Sequence, residues 1–382
     1  MITQTLAIFH DAYRELADRK LFWVILILSA IAVLGFAGFR ADDAHLTYFG
    51  FNFPNVGIPP RALYKSIFSG FVIGLWLTWF ATVLALISTA SIFPDFIAFG
   101  SIDLFLSKPI SRLRLFFTKY VAGLLFVILQ VLVFTVLAFF VLGVRGGGWF
   151  PGLFWAIPIV VCFFSYLFSI CVFFGVLWRS TLAAFFLTLL FWLICYALGT
   201  TELVLLNFKT DAQLSLTRLS LQIDTYDKRI ALMQPKTNPA TQPTTSPTTQ
   251  PVPRLLTDFK ETRQRLITEQ NETITTLQSL ERWHRIFYGV KTLFPKTTDT
   301  IELLNRILLT REEVSQLTPE DRRARKNKKS DEDDLSVPHQ RTDVEFQNRL
   351  RDRSVGWIVG TSLLFEAIVL SFAAWIFHRR DF

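Results

Sequence analysis

Long apolar runs separated by short polar joints set the pattern of this chain. A helix needs about 20 apolar residues to cross about 30 Å of hydrocarbon. Six segments meet that need: 21–39, 66–93, 120–144, 149–178, 181–206 and 355–377. The second occupies a charge-free gap of 29 residues between Lys65 and Asp95. Pro158 predicts a kink or break in the fourth. The fifth carries Glu202 near its end, and the sixth is interrupted only by Glu366. Ahead of the first run, Ile2, Leu6, Phe9, Tyr13 and Leu16 recur at helical spacing with polar residues between them. That pattern predicts an amphipathic helix over 1–20, lying in the interface plane.

A second periodicity fills the polar segment 207–354. Leu216, Leu219, Ile223, Tyr226, Ile230 and Met233 form a short heptad seam. A second helical stretch runs from about Leu255 to His284, with Leu256, Phe259, Leu266, Leu277 and Leu280. Between them, 234–253 carries Pro235, Pro239, Pro243, Pro247 and Pro251 amid Thr, Gln and Ser. Such a linker forms neither a core nor a regular helix. The expectation is an antiparallel helical hairpin, a short coiled coil, with a disordered tip. The opposed blocks Arg322–Lys329 and Asp331–Asp334 read as solvated chain.

Charge agrees with this division. Residues 207–354 hold 25 Lys/Arg and 21 Asp/Glu, or 46 of the 70 charged residues, in 148 positions. With 51% hydrophobic residues overall, no single soluble core could absorb the remainder. The fold class expected is an all-α polytopic membrane protein: six transmembrane helices, an N-terminal interfacial helix, and a helical, partly disordered extracytoplasmic insertion between helices five and six. A tail, 378–382, follows the last span. Orientation follows the positive residues of short loops. With the N-terminus inside, ten fall on the cytoplasmic side and four (Arg40, Arg61, Lys65, Arg145) outside. Both termini are then cytoplasmic, and the protein is a multi-pass component of the plasma or inner membrane. Much of the positive charge sits beside apolar spans, where topology explains it, so nucleic acid is not expected as a partner.

Candidate chemistry is sparse. Cys162, Cys171 and Cys195 lie inside apolar runs, and the five histidines show no metal-ligand spacing. None of the glycines belongs to a G-x-x-x-x-G-K-[ST] loop that would cradle nucleotide phosphates. Asp42-Asp43-Ala44-His45, and the pair Asp95 and Asp103, leave a membrane-embedded transferase or hydrolase open. A non-transporting scaffold or sensor built on the helical insertion is also open.

The loop between the second and third spans is the most specific stretch. It reads Gly100-Ser-Ile-Asp-Leu-Phe-Leu-Ser-Lys-Pro-Ile-Ser-Arg112, followed by Lys119-Tyr120 and Gly123. This run resembles the signature of ABC-2 type ABC transporter permeases. The opening Asp18-Arg19-Lys20-Leu-Phe-Trp23 and the closing Phe377-His-Arg-Arg-Asp-Phe382 are similar to that family's ends. The resemblance covers roughly 1–206 and 355–382. It implies a six-helix permease half that joins a second half, a homodimer or a paralogue, and a separate cytoplasmic ATPase. The chain itself would hold no cofactor and would not be an enzyme; ATP would sit on the partner. Asp103, Lys108, Pro109 and Arg112 would shape the ATPase contact, and export is the direction the family implies. Glu366 then either fixes the sixth span by hydrogen bonding or lines a route between the halves. The long insertion departs from a minimal member.

Overall fold

The computed structural model describes residues 20–41, 45–48, 51–54, 59–97, 111–145, 148–233, 254–310, 313 and 340–379. The expected interfacial helix, the Pro/Thr-rich linker and the 322–334 charge blocks lie outside these residues, apart from Lys20.

The chain is a helical polytopic membrane protein. Among the described residues, five helices are long and apolar enough to cross a bilayer: α2 (Pro60–Ile97), α3 (Arg112–Arg145), α4 (Pro151–Trp178), α5 (Thr181–Met233) and α9 (Val355–Arg379). A sixth apolar helix, α1 (Lys20–Ala37), is shorter, rising only about 27 Å at 1.5 Å per residue. Three more helices among the described residues are polar or amphipathic: α6 (Arg254–Leu293), α7 (Thr297–Leu308) and α8 (Gln340–Arg351). The spans are apolar all round. Ile27, Phe71, Phe80, Phe140, Phe186 and Phe372 face outward, as surfaces solvated by lipid do. Trp23, Trp149, Trp178, Trp357 and Trp375, all near span ends, are exposed as well.

The residues divide into two compact units. The first comprises residues 1–200, 289–326 and 353–382. Its core is aromatic: Phe22 meets Phe126, tying α1 to α3, and Phe36 meets Tyr64 and Phe68, tying α1 to α2. Strands β1 (Phe39–Ala41), β2 (His45–Tyr48) and β3 (Phe51–Pro54) make an antiparallel meander in the joint between α1 and α2. Phe39 stacks on Tyr48, its partner in the register, with ring centroids 4.1 Å apart. Stacked aromatic pairs of this kind hold short strands together. This small sheet is an addition to the all-helical expectation. Of Asp42-Asp43-Ala44-His45, only His45 is described, exposed on β2.

Within α2, residues Phe68–Ala81 form a π-helical stretch. The Thr78 and Thr82 hydroxyls donate to carbonyls five residues back, those of Ile73 and Leu77, at 2.8 and 3.1 Å. In the α-helical remainder the same bond reaches back four, as from Thr89 to Ala85. In α4, the irregularity precedes Pro158. A 3₁₀ turn, Pro151–Trp155, passes into α-helix at Ala156, so Pro158 occupies the first α-helical turn. There its missing N–H costs no helical bond. The expected break therefore falls a few residues earlier. At the other end, Arg179 adopts the left-handed conformation, φ 52°, which turns the chain sharply into α5.

The second unit comprises residues 201–288 and 327–352. Its hairpin is antiparallel: partner numbers fall on α6 as they rise on α5. His284 Nε2 lies 3.1 Å from Glu202, Lys209 pairs with Glu281 at 3.3 Å, and Tyr226 meets Phe259 edge-on. Arg263 donates to Asp227. Leu219, Ile230 and Leu256 are buried, whereas Met233, at the end of the expected seam, is exposed. The unit also contains α8, which no sequence signal announced. Arg349 on it reaches Gln213 on α5 at 2.8 Å, and Leu350 is buried.

The expectation placed all of 207–354 in one separate insertion. Residues 289–310 instead pack in the first unit, among the apolar helices. Helix α7 has 12 residues and rises about 18 Å, too short to cross a bilayer.

Candidate functional site

Glu366 stands near the middle of α9 and is 8% exposed. A carboxyl group in hydrocarbon costs several kcal/mol unless it is partnered. Two hydroxyls meet this one. Tyr120 on α3 donates to Oε1 at 2.7 Å, and Ser165 on α4 donates to Oε2 at 2.7 Å. The Tyr120 hydroxyl also lies 3.2 Å from the Ser165 carbonyl oxygen. Three apolar helices thus converge on one carboxyl group.

Packing fixes the donors. Tyr120 stacks on Phe168 of α4, with centroids 5.1 Å apart and planes within 12°. Gly123, one turn along α3, makes room for Phe168: a Cβ there would meet its ring at 2.6 Å. Lys119-Tyr120 and Gly123 belong to the run that carries the family resemblance. The structure places Tyr120 and Gly123 against Glu366 and its support rather than at the loop. Ser165 carries no sequence signal; it is one hydroxyl among many on the apolar faces. Gly70, Gly74 and Gly360 meet no side chain within 4 Å, whereas Gly123, Gly143 and Gly175 pack closely on Phe168, Trp149 and Pro94.

The end of α2 and the start of α3 lie together at one end of the bundle. Asp103, Lys108 and Pro109 lie outside the described residues. Arg112 is the first residue of α3. The framework around the α2–α3 loop is aromatic. Phe377 of α9 lies 6.0 Å from Phe96 at the end of α2 and 5.6 Å from Phe116 in the first turns of α3. Phe93 and Phe116 are 5.0 Å apart. Lys119, 7% exposed, places its ammonium 5.7 Å from the Phe96 ring. Tyr120 follows Phe116 by one turn, so the loop's framework continues along α3 directly to Glu366.

At the opposite end, where α2, α4 and α9 begin, α7 docks through buried polar groups. Lys291 and Asp299 pair at 2.8 Å, each with a nearly inaccessible side chain, and Arg353 approaches Asp299 at 3.4 Å. Asp299 also sits in the first turn of α7, where a helix favours negative charge. The Lys296 backbone N–H donates to Ser362 at 3.0 Å, and its side chain donates to Thr361. Burial pushes the Lys296 ammonium below the usual lysine range, and Lys291 and Arg353 add to this against the pull of Asp299. Ser69 in the π-helical stretch donates to Asn305. Lys65 donates to Glu313 at 2.8 Å and rests 3.9 Å above the Phe150 ring. Burial works to raise the Glu313 carboxyl, but the bonds from Lys65 and Thr310 outweigh it and hold it below the usual carboxylate range.

Among the described residues, no group of three or more His, Cys, Asp or Glu could hold a metal ion. In comparisons with known proteins, no family model matches the chain, and neither curated proteins nor solved structures give a match.

Proposed function

We propose that the chain is the membrane-spanning permease half of an ATP-driven transporter of the ABC-2 type, working as an exporter. Six spans follow when α1, which approaches the hydrocarbon thickness, is counted with the five longer helices. Both termini and the loop between α2 and α3 then lie in the cytoplasm, and the hairpin unit lies outside. A separate ATPase supplies the nucleotide chemistry, and a second permease half completes the pathway.

The observation that carries this reading is the connection from loop to lock. The ends of α2, α3 and α9 meet through Phe96, Phe116 and Phe377 at the edge of the loop that bears the family resemblance. One turn further, Tyr120 holds Glu366 of α9. A force applied by an ATPase to that loop would act on α3 and α9 together. An intramembrane carboxyl group held by two hydroxyls can exchange partners when α3 and α9 shift, which gives a bistable element of the kind transport requires.

The test is biochemical. The protein is purified in mild detergent from its native membrane, and its co-purifying subunits are identified by mass spectrometry. An ATP-binding-cassette subunit in stoichiometric amount, with ATP hydrolysis that depends on the permease, is expected. A stable permease that carries no nucleotide-hydrolysing partner would overturn the reading.

A further inference from the structure

A second pocket lies apart from Glu366, in the first unit, where the π-helical stretch of α2 faces α5 and the start of α7. Its volume is about 190 Å³, below the roughly 300–1,000 Å³ of drug-sized sites. Aromatic rings make up much of its wall. Trp79 lies 4.8 Å from Trp192 and 4.8 Å from Tyr196, the planes tilted by 34° and 76°. Beyond the rings the wall is Gly74, Ile301, three threonines and one formal charge, the carboxylate of Glu302. Asn305 donates to that carboxylate at 2.9 Å and so fixes it. No Lys or Arg is among the described lining residues.

Two further lining groups lack partners. Thr297 and Thr298 have buried hydroxyl oxygens with no hydrogen-bond partner among the described residues, and Thr297 is only 2% exposed. A buried hydroxyl left unsatisfied costs about 1–3 kcal/mol. Two side by side in a lined pocket mark a place where a ligand oxygen belongs. The wider turn of the π-helix places Gly74, Thr78 and Trp79 in the same wall, and such stretches gather at functional sites.

Aromatic faces attract a cation through their quadrupole, most strongly where water is excluded. A carboxylate adds charge, and the hydroxyls add donors and acceptors for an adjacent oxygen. From this combination we infer that the pocket binds a small alkylammonium group bearing a neighbouring oxygen, the chemistry of choline and ethanolamine. Two sources carry that chemistry, the free amine and the headgroup of a zwitterionic phospholipid. A cation there would touch α2, α5 and α7 at once and so hold α7 against the bundle.

Binding is measured by calorimetry on the full chain in phosphatidylglycerol nanodiscs, which offer no competing headgroup. Choline is the probe, and dimethylbutanol, with choline's shape but no charge, is the control. Choline binding without dimethylbutanol binding is expected. Glu302→Gln and Tyr196→Leu, each with a wild-type melting temperature, should weaken choline at least tenfold. If the source is lipid, free choline binds weakly or not at all. Phosphatidylcholine or phosphatidylethanolamine then co-purifies with the wild-type chain and is lost from both variants. Equal binding of choline and dimethylbutanol, equal retention by wild type and variants, or neither choline binding nor headgroup retention would overturn the assignment. All of these readouts are independent of ATP hydrolysis.

Discussion

Tyr120 on α3 donates its hydroxyl hydrogen to Glu366 on α9 across 2.7 Å, joining two apolar spans. Ser165 supplies the second bond, so the carboxyl group is held from two sides. Interhelical bonds in membranes are worth about 0.6–2 kcal/mol each. Glu366→Gln keeps the acceptor for Tyr120 and turns Ser165 into an acceptor, which a hydroxyl allows. Glu366→Leu leaves both hydroxyls facing a methyl group. We expect the Gln variant to keep its melting temperature in detergent and the Leu variant to lose about 1–3 kcal/mol. Reduced transport by a folded Gln variant would further indicate that the carboxyl group changes partners during the cycle. Equal stability of all three proteins would remove the lock from the account.

Asp299 compensates two cations, the buried Lys291 and the half-buried Arg353. Removing one partner of a buried pair costs more than the pair contributes, because a charge is left alone. Asp299→Ala should therefore destabilise the protein by about 3–5 kcal/mol and free α7 from the bundle. Limited proteolysis between α6 and α9 would reveal that release. A variant as protected as wild type would show that apolar contacts alone hold α7.

The Lys65–Glu313 pair should respond to acid. The folded carboxyl group of Glu313 titrates below its unfolded value. Its contribution is therefore fully present above the unfolded value, about pH 4.3, and is lost as the pH falls through the folded value. Melting temperature followed down through that range should drop more for wild type than for Glu313→Gln. Parallel curves would mean that the pair adds nothing to stability.

Much of this architecture is legible in the sequence, and the failures are instructive. Apolar runs locate the spans because hydropathy needs no knowledge of partners. The seam from Leu216 to Ile230 locates the first arm of the hairpin for the same reason. Helix α7 escapes such reading. Lys291, Lys296 and Asp299 suggest solvent to any residue count, yet inside the fold Asp299 pairs with Lys291 and Lys296 donates to Thr361. Lys65, which reads as an exterior loop charge, is buried on Glu313 and Phe150. The sequence singles out Glu366 as an expensive group, while its partners are a tyrosine and a serine of ordinary appearance. The π-helical stretch around Thr78 is equally silent, because its apolar composition suits either helix.

The ten-to-four distribution of positive residues gives an expected topology. A cysteine replacing Thr245 should react with an impermeant maleimide in intact cells, on a background in which Cys162, Cys171 and Cys195 are replaced. Labelling that needs permeabilised cells would invert the arrangement.

The central claim is that the loop before α3 transmits the work of an ATPase. Its most direct test is the Lys108→Glu, Arg112→Glu double variant, reconstituted with its ATPase in lipid. The ring contacts of Phe96, Phe116 and Phe377 use neither residue, so the bundle should fold and insert as wild type does. We predict loss of permease-dependent ATP hydrolysis, with a stability within about 0.5 kcal/mol of wild type. Undiminished hydrolysis and transport by a folded double variant would contradict the account.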